Sequence, residues 1–194
     1  ASELLRECEI GVGSWDTPHP NAALMAACPK LRLWEHAAGS VKHMFGPHLE
    51  GRTLTIASCA PAIAENVAET ALGELIVGLR QLIPDAAANR KGIVKTKPAH
   101  LLALSEAVIG VVSASDVGRR VIRMLKPFNP RLLLYDPTLK EADAQALGAE
   151  LCRDLRSFCS RCDAVTLHAP SIPATAKMIG AAELQAMPDH AVFV

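Results

Sequence analysis

Two serines and a glycine, Ser113-x-Ser115-x-x-Gly118, followed by Asp136 at the end of the run RLLLYD, are the residues whose types and spacing suit a definite chemistry. They stand after an apolar run, AVIGVV (107–112), and open an amphipathic stretch, DVGRRV. A tight turn there aims the free N–H groups of a helix start at an anion, and an acid at the tip of the next strand accepts hydrogen bonds from ribose hydroxyls. The layout is that of a dinucleotide-binding βαβ unit. Two of its three usual glycines are serines. Gly118 is the position where a side chain would push the helix off the strand, whereas Ser113 takes the tight turn and Ser115 the point of closest approach to phosphate. Asp136 excludes a 2′-phosphate by charge and so favours NAD over NADP. The same Asp before Pro137 is also ordinary turn chemistry.

Other candidates carry less. Asp116, in the first turn of the expected helix, satisfies the dipole that a pyrophosphate would use, unless Arg119 or Arg120 neutralises it. The pair Gly11 and Gly13 has no third glycine opening a helix and reads as flexibility at a strand exit. Six cysteines, Cys8, Cys28, Cys59, Cys152, Cys159 and Cys162, are too sparse for a disulfide scaffold and suit reduced thiols. Cys159-x-x-Cys162 closes a helical stretch and lacks a second ligand pair, so it reads as structural, and no metal site is expected. His36 and His168 fall at strand ends. His19, His43, His48, His100 and His190 have no partner at a useful spacing.

The elements that must position these residues alternate. Short apolar runs at 9–15, 31–37, 53–58, 107–112, 131–137, 149–151, 164–169 and 191–194 read as strands. Helical stretches intervene at 20–28, with Asn21 as N-cap, and at 116–128, 140–148, 154–162 and 181–187. A long helix is expected over 64–88, with Val67, Ala71, Leu75, Leu79 and Leu82 on one face and Glu65, Glu69 and Arg80 off it. In the second half the runs are apolar on both sides, which predicts parallel strands covered on both faces. The expectation is two doubly wound α/β modules, a smaller one over 1–63 and a larger one over 64–194.

The chain has 194 residues, 50% hydrophobic and 21% charged, with 20 Lys+Arg against 20 Asp+Glu. Zero net charge argues against a nucleic-acid binder, which needs surplus clustered cations. The most basic stretch, with Arg90, Lys91, Lys95 and Lys97, reads as a solvated loop. No apolar run reaches the roughly 18–20 residues of a membrane span, and the expected location is the cytoplasm. The first residue is Ala1, and the last run ends in what reads as a strand, so the expectation is a piece of a longer chain.

Taken together, HAAGSV (36–41), ENVAETALGELIVGLR (65–80), VIGVVSASDVGRRV (108–121), LLLYDP (132–137), AVTLHAPSIPATAKMIGAAELQAM (164–187) and AVFV resemble the D-isomer-specific 2-hydroxyacid dehydrogenases. The resemblance implies a Rossmann-like cofactor domain, a doubly wound parallel sheet, with a smaller flavodoxin-like substrate domain. It implies hydride transfer between NAD(H) and a 2-hydroxy or 2-keto acid, in a homodimer formed with the help of the long helix. Cofactor contacts would come from Ser113, Ala114, Ser115, Asp116, Val117, Gly118, Asp136, His168, Ala169 and Pro170. Ala38, Gly39 and Ser40 would offer backbone N–H groups to the substrate carboxylate.

The departures matter as well. The family's catalytic Arg, Glu and His would follow the strand ending at Val194, and no residue of this chain is expected to replace them. Ile63 stands where relatives often carry Asn. The altered phosphate turn keeps open a second reading, a catalytically silent relative that senses dinucleotide or acts as a scaffold.

Overall fold

The structure is a computed structural model that describes residues 2–18, 20–41, 44–45, 52–93 and 100–194. His19, His43, His48, Lys95 and Lys97 lie outside the described residues. The chain divides into two compact units, Ala1–Ala64 and Glu65–Val194.

The first unit has helix α1 (Ser2–Arg6), strand β1 (Ile10–Gly13), helix α2 (Ala22–Ala27), strand β2 (Leu33–His36) and strand β3 (Thr55–Ser58). Its three strands are parallel in the order β1-β2-β3. Asn21 caps α2 by accepting from the Leu24 N–H at 2.9 Å. Met25, Cys28, Leu31, Trp34, Met44 and Phe45 form the core. The glycine pair in β1 has a different cause from strand-exit flexibility. A Cβ at Gly11 would lie 2.5 Å from the Trp34 ring and one at Gly13 2.7 Å from it, so both positions are kept bare for the indole lying across β1.

The expected single helix over 64–88 is two. Helix α3 runs Ala60–Leu79 and helix α4 Leu82–Arg90, with Gln81 between them at φ 51°. Pro84 explains the break, because its ring collides with the carbonyl four residues back, at Arg80, and it has no N–H to give. The buried stripe keeps the expected Ala71, Leu75 and Leu79 and differs only at its ends. Ala68, Ala71, Leu75 and Leu79 enter the core, while Val67 and Leu82 are exposed at 43% and 46%.

Strand β4 (Val108–Val112), helix α5 (Asp116–Leu125), strand β5 (Arg131–Tyr135), helix α6 (Glu141–Leu147), strand β6 (Glu150–Leu151), helix α7 (Leu155–Ser160), strand β7 (Ala164–Leu167), helix α8 (Ala181–Ala186) and strand β8 (Val192–Phe193) complete the second unit. Its sheet is all parallel, in the order β6-β5-β4-β7-β8. Alternate strand residues feed two cores, as a sheet covered on both faces requires. Ile109, Val111, Leu132 and Leu134 pack with α3 and α5, while Val112, Leu133 and Val165 pack with Phe158, Cys159 and Cys162. Gly110 makes room for the second layer, since a Cβ there would be 2.5 Å from the Cys162 sulfur and 2.6 Å from the Phe158 ring. Helix α5 stops at Leu125 and tightens into a 3-10 turn, Lys126–Phe128, at Pro127.

Candidate functional site

Chain order and strand order part company at β4. The next strand in sequence, β5, lies on one side of it, and β7 on the other. In an open parallel sheet, this reversal leaves a crevice beyond the carboxyl ends of the strands, where ligands bind. Three segments exit at that end: the 113–118 turn after β4, Asp136 after β5 and His168 after β7. Hydrogen bonds tie them together, from Ser113 N–H to the Tyr135 carbonyl at 2.8 Å and from His168 N–H to the Val112 carbonyl at 3.0 Å.

The turn keeps the shape of a glycine turn without its glycines. Ser113 has φ 76°, in the left-handed region that costs a residue with a Cβ about 1–2 kcal/mol. Ser115 is the N-cap of α5, and its hydroxyl accepts from the Gly118 N–H at 3.3 Å, one of the donors a phosphate would use. A Cβ on Gly118 would lie 2.1 Å from the Ser113 carbonyl oxygen, so at this point helix and turn touch backbone to backbone. Val117 packs against the core, and Arg119 folds back to donate to the Ala114 carbonyl at 2.8 Å. Asp116 is exposed and faces Arg120 at 3.3 Å, so Arg120 is the arginine that neutralises it. Arg120 also pairs with Glu65, as does Arg123, joining α3 to α5. Arg120 first of all, with Arg123, holds the Glu65 carboxyl below its ordinary range against the opposing effect of burial.

Asp136 is 6% exposed, and its carboxylate is fully engaged by the protein. One oxygen accepts from the Ala114 N–H at 2.9 Å and the Ser113 hydroxyl at 3.4 Å. The other accepts from the Thr138 N–H at 2.9 Å and the Thr138 hydroxyl at 2.7 Å. Burial pushes this carboxyl up, but hydrogen bonds from Thr138, Ala114 and Ser113 outweigh it and leave the group below its ordinary value. The turn reading of the YDP run is realised, since Asp136, at the carboxyl end of β5, makes an Asx turn onto Thr138. Thr138 is the residue sequence reasoning missed. The Asp-x-Thr spacing of an Asx turn was the available signal.

His168 is half-buried, and burial pushes its imidazole down to about 4. Its Nε2 lies 2.8 Å from the hydroxyl of the fully buried Thr166. Ala169 packs against the second core layer, and the Pro170 carbonyl accepts from the Thr175 hydroxyl, which ties down the 170–175 loop. In the first unit, Ala38 is buried, Gly39 lies under the Trp15 ring and Ser40 is exposed. His36, 4% exposed, has an Nδ1 with no hydrogen-bond partner among the described residues.

Two groups differ from expectation or stay inert. His190 does have a partner, Asp163 at 2.9 Å, and it stacks on His100 with ring centroids 4.7 Å apart. That pairing spans 27 positions, and Asp163 also accepts from the Val108 N–H at 2.8 Å, so it fastens the amino ends of the strands. Cys159 and Cys162 are buried free thiols, pushed by burial up to about 11 and about 12, which makes them poor nucleophiles. Among the described residues, no group of three or more His, Cys, Asp or Glu is placed to hold a metal ion, and no helix is long and apolar enough to cross a membrane.

A parallel sheet with this switch point, a glycine pressed against the turn and an acid at the tip of β5 defines a Rossmann-like α/β protein of the dinucleotide-binding class. Residues 72–194 match the model of the D-isomer specific 2-hydroxyacid dehydrogenase NAD binding domain, and the chain belongs to that family. A D-3-phosphoglycerate dehydrogenase of Methanocaldococcus jannaschii is 27% identical over 165 residues, covering 85% of this chain and 32% of the relative. A glyoxylate reductase of Korarchaeum cryptofilum is 26% identical over 196 residues, covering 99% of this chain and 58% of the relative. The fold is shared with a D-lactate dehydrogenase from Aquifex aeolicus solved with NAD and lactic acid, at TM-score 0.81 and 19% identity, covering 100% of this chain and 57% of the other. The chain thus spans from a third to three-fifths of the length of these relatives.

Proposed function

We propose that this chain forms the nucleotide-holding part of an oxidoreductase that passes a hydride between NAD(H) and the C2 carbon of a 2-hydroxy or 2-keto acid. The observation that carries the reading is the convergence of the 113–118 turn, Asp136 and His168 on the carboxyl ends of β4, β5 and β7, in a chain whose residues 72–194 match this family's NAD binding domain. The residues fit the cofactor where Gly118 leaves no room for a side chain and where Asp136 stands at the crevice. NAD, when bound, supplies the hydride acceptor or donor.

The chain's own residues bind and orient. The backbone of Ser113, Ala114, Ser115, Asp116 and Val117 forms the turn and helix start that receive the diphosphate, with the pairing of Asp116 to Arg120 removing the charge that would repel it. Asp136 holds the adenosine ribose, and its negative charge disfavours a 2′-phosphate. His168, Ala169 and Pro170 line the cofactor, and His168 stays neutral at physiological pH because burial disfavours its charged form. Residues 64–194 are the dinucleotide-binding domain and residues 1–63 a portion of the substrate domain. There, Ala38, Gly39 and Ser40 hold the substrate carboxylate. Proton transfer is assigned to none of these residues. We place the protein in the cytoplasm as a homodimer, with α3 contributing to its interface.

Titration of the complete polypeptide with NADH, read by nicotinamide fluorescence, together with NADH oxidation in the presence of short 2-keto acids, tests this reading. Saturable binding and turnover support it, and a complete polypeptide that binds NADH only above about 1 mM refutes it. The filled Asp136 carboxylate and the serine-capped phosphate turn favour a second reading, a silent relative that binds dinucleotide without turnover. Binding with no turnover on any 2-keto acid selects it.

A further inference from the structure

An ionised carboxylate has about four lone-pair sites, and at Asp136 four donors of this chain claim them. The four fall into two kinds. The N–H groups of Ala114 and Thr138 are fixed in the backbone, one on each oxygen. The hydroxyls of Ser113 and Thr138 are rotors, again one on each oxygen. A ribose brings the same pair to such a carboxylate, two neighbouring hydroxyls. We propose that the Ser113 and Thr138 hydroxyls are internal stand-ins for the ribose diol, which hold Asp136 in place and must turn away before a nucleotide sugar can engage it.

The exchange weakens sugar recognition at a site that keeps the family's layout. Replacing one O–H donor by another on the same oxygen returns little net free energy, so the contact that should carry sugar recognition is largely cancelled. The two stand-ins are unequal. Thr138 holds its oxygen at 2.7 Å, whereas Ser113 reaches the other only at 3.4 Å and from a backbone strained at φ 76°. Thr138 is therefore the main gate. It is exposed, so changing its hydroxyl to a methyl leaves the core untouched.

The inference rests on the NAD reading above, and the test separates the two. NADH affinity is measured by fluorescence titration for the parent, Thr138→Val, Thr138→Ser and Ser113→Gly, and the affinities of ADP and 2′,3′-dideoxy-ADP by competition. The expected result is roughly tenfold tighter NADH and ADP binding by T138V, with parent-like binding by T138S, which restores a hydroxyl. S113G should gain about threefold, and dideoxy-ADP should bind parent and T138V alike. Binding by the parent that T138V leaves unchanged, or an equal gain for dideoxy-ADP, overturns the inference and leaves the NAD reading standing. Absence of NADH binding in the parent and in every variant overturns the NAD reading and the inference with it.

Discussion

Gly118→Ala is the perturbation whose sign separates the close helix–turn approach from ordinary helix behaviour. In an unobstructed helix, alanine is worth about 1 kcal/mol over glycine. Here the new Cβ would stand 2.1 Å from the Ser113 carbonyl oxygen, a backbone atom, so α5 must withdraw by about 1 Å. Helix α5 carries Val121, Ile122 and Leu125, all at most 1% exposed. Each contributes about 2 kcal/mol by burial, and a gap of that size forfeits a quarter to a half of the contact energy, about 2 kcal/mol over the three. The cap from Ser115 to the Gly118 N–H is strained at the same time and is worth about 1 kcal/mol. Against the gain in propensity, the net effect is a loss of about 2 kcal/mol, or roughly 4–8 °C in Tm for a chain of this size. Urea denaturation followed by circular dichroism measures it, with the slope of stability on denaturant expected to stay constant. A G118A variant as stable as the parent, or more so, would refute the backbone contact and with it the argument for why this glycine survives when its two companions do not.

Asp136→Asn should lower stability by about 2 kcal/mol in urea denaturation, because it replaces one acceptor oxygen with a donor amide facing the N–H and hydroxyl groups that now converge there. The folded carboxyl titrates below its unfolded value of about 3.9, so the stability it gives is present above that pH and is lost as pH falls through the lower folded value; the D136N profile should be flatter there. His168 behaves in the opposite sense, being buried in its neutral form. Its unfolded imidazole takes up a proton below about pH 6.5 and the folded one only near about 4, so stability declines as pH falls across that window. NMR titration should find His168 uncharged at pH 5.5, and a midpoint above 6 would contradict its burial.

How far the sequence reaches is clearest at β4 and its surroundings. Alternation of apolar runs with helical stretches is enforced locally, by side-chain period and by turn residues, and it gives every strand of the two sheets. The same local rules mark Gly118 and Asp136. Where a distant or overlooked steric partner decides, the reading fails. Pro84 splits the long helix because its ring meets a carbonyl at Arg80, and apolar spacing could not reveal that Ala68, not Val67, joins the buried Ala71, Leu75 and Leu79. Gly11 and Gly13 answer to Trp34, more than twenty positions on, not to their own flexibility.

Period and turn chemistry are properties of neighbouring residues, so the amino-acid order alone determined that this chain makes parallel sheets, the second covered on both faces, with an acid at one strand tip. Strand order and hydrogen-bond satisfaction are not local. Only the folded chain sets β4 between β5 and β7, joins Arg120 to Glu65 across 55 positions and fills the Asp136 carboxylate with the hydroxyls of Ser113 and Thr138. The physical reason is that a buried charge collects whichever donors the packing brings within reach, and that outcome exists only in three dimensions.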